Sequence, residues 1–257
     1  MENYYLNETH SLINEYPVNY NNFPLSKYGK FFEIDLNKDE YLLIPKNWIH
    51  WVFTEPKCIS LNYTINSIYD TNTNNIIYDY LKKSIPFKGK HKQFNINYED
   101  FVNRSLDYNF TNCLFTKSYH DHAPVKKPNQ AKKILLDNKT LRQTLDYFKD
   151  KDGYLYILPN LIEKNNIYYP EFIDVPNFNN INELKLQTDI HLWINFDKSV
   201  QMGLHYDVTD NILYVIEGKK KIFLLPPKYN SITYFSNTCT IHKDKIIEFL
   251  NSNKSDI

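Results

Sequence analysis

The chain has 257 residues, 42 % of them hydrophobic, which is enough for one compact domain with a substantial core. Its 30 basic and 30 acidic residues balance, which argues against a general nucleic-acid coat and leaves only a local basic patch for such partners. The cysteines Cys58, Cys113 and Cys239 form no CxxC pair, which argues against a disulfide scaffold or thiolate zinc site and favours an intracellular setting, cytoplasmic or nuclear. The first ten residues are polar and no apolar run approaches the ~18 residues of a membrane span, so we expect no membrane partner.

The first quarter of the chain is predicted to form strands after a loop-like opening. The opening reaches to about Lys30 and contains Pro17 and Pro24. Beyond it, aromatic and β-branched residues occur in short alternating runs, which is typical of strands. The predicted strands are Phe31–Leu36, Tyr41–Ile44, His50–Phe53 and Ile59–Ile65.

Residues 68–150 differ in pattern and are predicted to be a helical accessory region. The helices are expected at Ile76–Lys83 and Thr140–Lys149, the second with Asn138 or Thr140 as its N-cap. Strands are predicted to return after it, with a tight turn at Glu217-Gly218 and a short amphipathic helix at His242–Phe249. These later strands are Tyr154–Leu158, Leu192–Phe196, Gly203–Asp207, Ile212–Ile216 and Lys220–Leu225.

A candidate metal-binding pair lies in the strand Gly203–Asp207. Residues two apart in a strand point to the same face, so His205 and Asp207 project together. One imidazole and one carboxylate are two of the three protein ligands of a non-haem Fe(II) site, which takes two His and one carboxylate. An HxD pattern by itself is a weak signal, because the same three-residue pattern also occurs in strands whose His and Asp only form ordinary hydrogen bonds.

The strand predicted after the Glu217-Gly218 turn begins with three successive lysines. If Ile222 and Leu224 face an apolar interior, Lys220 faces it too, and a buried ammonium needs an anion. The distal carboxylate of 2-oxoglutarate would be such an anion. The alternative is that Lys219, Lys220 and Lys221 all lie at a solvated turn. The alternation of side chains along a strand does not by itself select which lysine turns inward.

The segment from His205 to Pro227, HYDVTDNILYVIEGKKKIFLLPP, resembles the HxD–N–GxK–PP stretch of JmjC-type, cupin-8-like Fe(II)- and 2-oxoglutarate-dependent oxygenases. That group includes the hypoxia-pathway asparaginyl hydroxylase and the tRNA wybutosine hydroxylase. The general character of this sequence resembles the second more than the first. The resemblance implies a mainly β fold with accessory helices, built on a double-stranded β-helix (cupin or jelly-roll) barrel. It also implies Fe(II), 2-oxoglutarate and O2 as cofactor and cosubstrates.

The family's second histidine, which normally follows the HxD strand, is expected near the start of this chain. The segment from Lys38 to Val52, KDEYLLIPKNWIHWV, resembles the family's GD-x-L-x-IP-x-x-W-x-H-x-V motif and supplies His50. The resemblance therefore implies a circular permutant in one domain, 1–257. Its parts are the family's C-terminal barrel strands at 1–67, the accessory region at 68–150, and barrel strands with the HxD motif at 151–257. Breaking an exposed loop of a closed barrel leaves the core contacts intact, so permutation is physically undemanding.

Further site residues follow from the same resemblance. His50, His205 and Asp207 would hold the iron and be the catalytic centre, and Lys220 matches the cosubstrate lysine by its distance from His205. Met202 stands where some relatives carry a hydroxyl residue, and Lys38 replaces the usual glycine of the Gly-Asp turn. Trp193 matches an aromatic position and is expected in the core. Cosubstrate contacts are also expected from Asn211, Asn62 and Tyr156.

Other candidate sites are weaker. His120-Asp121-His122 is expected to be a solvated polar loop rather than a second metal site. Lysine-rich patches at Lys82–Lys83, Lys88–Lys92 and Lys126–Lys133 could follow phosphates but are usually solvated faces. No phosphate-binding, dinucleotide-binding or serine-hydrolase motif occurs. We therefore expect a hydroxylase of a protein side chain, with a modified tRNA base as the alternative substrate and a non-catalytic cupin binding module as the alternative function.

Overall fold

The computed structural model describes residues 11, 13, 17–67, 76–91, 95–110, 113–116, 120–121, 134–136, 139–161 and 187–233. The predicted tail helix at 242–249 lies outside these residues. The helices are α1 (Ile76–Lys83), α2 (Tyr98–Ser105) and α3 (Leu141–Phe148), and 3-10 turns lie at Pro24–Tyr28 and Pro227–Ile232. The strands of the first half are β1 (Phe32–Asn37), β2 (Glu40–Ile44), β3 (Ile49–Thr54), β4 (Cys58–Ser67), β5 (Phe87–Lys90), β6 (Asn109–Phe110), β7 (Cys113–Thr116) and β8 (His120–Asp121). Those of the second half are β9 (Ile134–Leu136), β10 (Lys139–Thr140), β11 (Tyr154–Leu161), β12 (Gln187–Asn195), β13 (Val200–Tyr206), β14 (Asp210–Glu217) and β15 (Lys219–Leu225).

The described strands form two large sheets. The five-stranded sheet has the order β1-β15-β3-β13-β8, and the eight-stranded sheet has the order β5-β2-β14-β4-β12-β11-β7-β9. Pairing within them is antiparallel except between β13 and β8. This mainly β, antiparallel architecture with few helices confirms the predicted fold class and is consistent with a cupin barrel. The predicted strands are found, most of them extended by one to several residues.

Three apolar clusters explain why the strands are hydrophobic on both faces. In β3, Val52 points into the cluster between the two sheets, while Ile49 and Trp51 point to a second cluster on the outer face of the five-stranded sheet. A third cluster covers the outer face of the eight-stranded sheet and includes Phe101 of α2 and Leu141 of α3. Strands covered on both faces need apolar residues at successive positions, which is the pattern seen in β3 and β14.

The segment 68–150 is more strand-rich than the predicted helical region. Its helices α1 and α3 match the prediction within a residue at each end, and Thr140 caps α3 in a capping box with Gln143. However, β5, β7 and β9 join the eight-stranded sheet. These strands have four residues or fewer, so alternation over so short a run gives little signal in the sequence.

The predicted tight turn at Glu217-Gly218 joins β14 to β15. Gly218 has φ +83°, and a Cβ there would lie 2.8 Å from Cys58 Cα and 2.9 Å from Lys57 O. Only glycine accepts both this backbone conformation and this approach at low cost. The turn starts β15 at Lys219, and the pairing of β15 with β1 and β3 then decides which lysine faces the interior. Among the described helices, none is long and apolar enough to cross a bilayer.

Candidate metal centre

Two neighbouring strands bring the two predicted histidine ligands together. In the antiparallel pair of β3 and β13, His205 lies directly opposite His50, and Met202 lies opposite Val52. Three positions separate Met202 from His205 but only two separate Val52 from His50, so β13 carries a bulge at residues 203–204. Directly opposed residues share a face, and the bulge therefore turns both Met202 and His205 toward the barrel interior beside His50.

The carboxylate comes from the turn that follows β13. Asp207 is two residues beyond His205, and its side chain keeps 35 % of its surface exposed. Two contacts fasten this turn to the one between β2 and β3: Asn47 N–H donates to Asp207 O over 2.8 Å, and Lys46 N–H donates to Asp210 Oδ1 over 2.8 Å. The loop before His50 and the loop after His205 are thus held against each other.

These three side chains form the cluster able to hold a metal ion within the described part of the chain. One potential ligand atom from each of His50, His205 and Asp207 lies within 4.8 Å of the others. The His50 Nε2 to Asp207 Oδ2 distance is 3.6 Å, and the two imidazole centroids are 4.1 Å apart. Both histidines are buried, whereas the carboxylate reaches the surface. The cluster therefore sits at a mouth of the barrel, with one side open.

Backbone contacts set the tautomer of both histidines. His50 Nδ1 lies 2.9 Å from Trp48 O, and His205 Nδ1 lies 2.7 Å from Gly203 O. A carbonyl oxygen can only accept, so in each neutral ring Nδ1 carries the proton and donates it. The lone pair is left on Nε2, which is the arrangement that metal-bound histidines usually have.

The residues present fit an Fe(II) ion. Two neutral imidazole Nε2 atoms and one carboxylate form the donor set of the two-histidine, one-carboxylate facial triad. The same set also accepts other first-row divalent ions, because geometry and availability rather than raw affinity decide which metal is held. The structure thus brings together all three predicted ligands, although they lie 157 positions apart between His50 and Asp207 in the chain.

Lys220 is the lysine that turns inward. It is 5 % exposed, whereas its neighbours Lys219 and Lys221 point out and pair with Asp35 and Glu33 of β1. Lys220 Nζ donates to Thr54 Oγ1 over 2.9 Å, and none of the described carboxylates forms an ion pair with it. Burial lowers the pKa of Lys220 from the usual range of lysine.

Lys220 lines a cavity between the two sheets. Burial in this cavity raises the pKa of the Cys58 thiol to about 11, so at neutral pH it is an uncharged apolar group.

Sequence reasoning placed Trp193 in the core and overlooked Thr54 as the partner of Lys220. That partnership depends on the pairing of β15 with β3, which no local pattern in the sequence reveals. The lining residues include Thr54, Cys58, Trp193, Asn195, Met202 and Lys220.

The other predicted cosubstrate residues lie on strands that border the interior. Asn211 Nδ2 lies 3.4 Å from Asp207 Oδ2, a long contact, and the buried Asn211 Oδ1 has no hydrogen-bond partner in the described residues. Asn62 Oδ1 is likewise buried without a partner there. Tyr156 is known only by register, opposite Asn195 of β12. Lys38, at the expected glycine position, pairs with Glu217 over 2.6 Å and leaves the metal cluster untouched.

The weaker candidates have mixed outcomes. His120 and Asp121 were expected in a loop, but they form β8, whose backbone pairs in parallel with Gln201 and Met202 of β13. A two-residue strand next to Ala123-Pro124 carries no pattern that could have revealed it. In the patch Lys88–Lys92, Lys88 pairs with Glu40 over 2.9 Å. The patch Lys126–Lys133 lies outside the described residues.

An antiparallel β barrel with histidine and carboxylate ligands at its mouth is the architecture of metal-binding cupins. The chain matches the cupin-like domain family over residues 77–251, and it belongs to that family. The matched span contains His205 and Asp207 but not His50. A JmjC domain-containing protein of Acanthamoeba polyphaga mimivirus is 26 % identical over 225 residues, which are 80 % of this chain and 35 % of the viral protein. The chain thus spans about a third of the length of this curated relative. No solved structure matches the chain significantly.

Proposed function

We propose that the protein is an Fe(II)- and 2-oxoglutarate-dependent oxygenase whose metal is held by His50, His205 and Asp207. The observation that carries the proposal is the convergence of these side chains, each histidine held through Nδ1 by a backbone carbonyl, in a member of the cupin-like family. When bound, iron would supply the activation of O2, coupled to oxidation of 2-oxoglutarate. The chain's own residues would fix the ligand geometry and exclude water on the buried side.

The cosubstrate assignment is supported by the environment of Lys220. A buried ammonium without a described carboxylate partner is costly, and an anionic ligand would compensate it. We assign the distal carboxylate of 2-oxoglutarate to Lys220. His50 and Thr54 lie on the same face of β3, four positions apart, which is about 13 Å of strand, so metal and lysine sit at two ends of one interior surface. Asn211, Asn62 and Tyr156 are proposed as further cosubstrate contacts.

We also propose that the barrel is a circular permutant of the family order. Taken from β12 to β15 and then from β1 to β4, successive strands alternate between the two sheets, except that β15 and β1 are neighbours in one sheet. The last strand of that series, β4, lies beside the first, β12. Near the two ends of the described chain, Ser11 Oγ donates to Thr233 O. The absence of His50 from the matched span 77–251 also favours permutation.

The substrate that we propose is a protein side chain. Val208, directly after Asp207, leaves 67 % of its surface exposed beside the metal cluster and would offer a bound peptide one apolar contact. A modified tRNA base is the alternative substrate, and a binding module without turnover is the alternative function. These alternatives differ in what stimulates succinate formation, so one assay separates them.

The test is succinate formation by the full chain with Fe(II), 2-oxoglutarate and O2. We expect slow uncoupled turnover in the wild type and none in His205→Ala, with stimulation by a peptide pool and not by total tRNA. Stimulation by tRNA alone would replace the substrate proposal. Metal binding without succinate under every condition would favour the binding module, and failure to bind any divalent metal would overturn the oxygenase proposal.

A further inference from the structure

The cavity around Lys220 offers few groups able to donate a hydrogen bond. The hydroxyl of Thr54 accepts from Lys220 Nζ and keeps its own proton free to donate. The indole of Trp193 is a donor only, and its Nε1 is shielded from solvent and has no hydrogen-bond partner in the described residues. A buried donor without an acceptor costs free energy, so this N–H needs an acceptor that the described residues do not supply.

Asn195 cannot serve the same purpose. Its Nδ2 is already committed to backbone oxygens, at 2.7 Å from Glu55 O and 2.9 Å from Lys198 O. Its remaining atom, Oδ1, can only accept and would repel an anion. Asn195 does fasten β12 to the end of β3 where Lys220 meets Thr54. Trp193 lies two positions earlier on the same face of β12, so its indole belongs to the lining nearest that contact.

The rest of the lining is apolar. Met202, which stands where some relatives carry a hydroxyl residue, offers only a thioether, which accepts weakly and cannot donate. Cys58 has a pKa near 11 and stays a neutral thiol. Lys220, Thr54 and Trp193 therefore carry the strong side-chain donors among the described lining residues.

We propose that the Trp193 indole N–H donates directly to the distal carboxylate of 2-oxoglutarate and so helps to select a dicarboxylate over a monocarboxylic 2-oxo acid. This inference rests on the proposed function. A neutral donor to a buried carboxylate forms a charge-assisted hydrogen bond, which is stronger than one between neutral groups. Trp193 would take over the contact that Met202 cannot make, beside Lys220 and Thr54.

The experiment compares two ligands that differ only at the distal end. 2-Oxopentanoate has a methyl group where 2-oxoglutarate has its distal carboxylate. Binding of each to the full chain loaded with Zn(II), which permits no turnover, is measured by isothermal titration calorimetry. Trp193→Phe removes the N–H and keeps an aromatic ring. Trp51→Phe is the matched control, since Trp51 packs on the outer face of the five-stranded sheet. Lys220→Met tests the charged partner.

We expect the wild type and Trp51→Phe to prefer 2-oxoglutarate strongly. Trp193→Phe should lower that preference about ten-fold, with the affinity for 2-oxopentanoate unchanged. The ratio of the two affinities within one variant cancels any general loss of folded protein. An equal loss for both ligands would make Trp193 a packing residue and overturn the inference. An unchanged ratio in Trp193→Phe, with the preference lost in Lys220→Met, would overturn the inference and leave the proposed function standing. If the wild type bound both ligands equally, the assignment of 2-oxoglutarate as the cosubstrate would be wrong, and this inference would fail with it.

Discussion

His50 and His205 lie directly opposite each other on β3 and β13, and each ring binds through Nδ1 to the carbonyl oxygen two residues before it. The two contacts are equivalent although the surrounding sequences, Trp48-Ile49-His50 and Gly203-Leu204-His205, are unrelated. On both strands the backbone itself fixes the tautomer, so no separate carboxylate is needed to orient the rings. Trp48 extends this support, because its indole donates to Ser84 O, just beyond α1, over 3.0 Å.

Replacing His50 should remove metal binding. His50→Ala leaves one imidazole and one carboxylate, and we expect the affinity for Co(II) or anaerobic Fe(II) to fall by at least about 100-fold. Calorimetric titration of the full chain measures this. His91→Ala, which alters a histidine outside the cluster, serves as the control and should keep the wild-type affinity. Unchanged metal affinity in His50→Ala would contradict the assignment of the ligands.

Replacing Lys220 should separate stability from ligand binding. Lys220→Met removes a buried ammonium without a described carboxylate partner and keeps an unbranched side chain only one atom shorter, so the ligand-free protein should gain on the order of 1 kcal/mol. Because burial lowers the native pKa of Lys220, the native state holds fewer protons than the unfolded state at alkaline pH. The contribution of this group to wild-type stability therefore rises toward the usual pKa of lysine, and the gain from the substitution should shrink there.

The matched control for Lys220 is the adjacent Lys221, whose side chain points outward. Lys221→Met removes an exposed pair with Glu33, and surface pairs contribute about 0–1 kcal/mol. Urea unfolding of both variants, with and without 2-oxoglutarate, checks the prediction. The wild type and Lys221→Met should be stabilised by the ligand, and Lys220→Met should lose that response. A destabilised ligand-free Lys220→Met would show that the lysine is structurally required.

Much of the site could be predicted from the sequence because its signals are local. The two-residue period of a strand places His205, with Asp207 in the turn just past the end of β13, and the turn before Lys220 depends on Glu217-Gly218. The class of fold followed from short β-branched and aromatic runs. His50 was found by the resemblance of its flanking residues to a family motif, since a lone histidine in a strand has no pattern of its own.

The remainder depends on pairing between distant strands. Which lysine faces inward is decided by β15 lying between β1 and β3, so Lys219 and Lys221 meet Asp35 and Glu33 on the outside. The bulge that turns Met202 toward the interior arises because β13 has one more residue than β3 between the paired positions. Neither strand's own sequence shows this difference. The roles of Thr54 and Trp193 have the same origin, because both face the cavity only once the two sheets have closed.

Gly218 should be intolerant of a side chain. Gly218→Ala places a Cβ at a positive φ and within 3 Å of Lys57 O and Cys58 Cα, so we expect a loss of at least about 1–2 kcal/mol in the free energy of unfolding. Gly29→Ala is the control: Gly29 has φ −74°, and the nearest atom to its added Cβ is Ser26 O at 3.3 Å. Its change should stay below about 1 kcal/mol in either direction. Equal effects of the two substitutions in urea unfolding would contradict the proposed strain.

Asp210 should make stability depend on pH in the acidic range. Burial raises the native pKa of its carboxyl, although the Lys46 N–H donates to it. The native state then keeps this proton at pH values where the unfolded chain has released it, so this group's contribution falls as the pH rises from about 3.9, the usual pKa, through the native pKa. Asp210→Asn is neutral throughout and its Oδ1 can still accept from Lys46. In urea unfolding of metal-free protein, the variant should gain stability relative to the wild type between about pH 3 and pH 7. A relative loss over that range would mean that the charged carboxylate is favoured in the native turn.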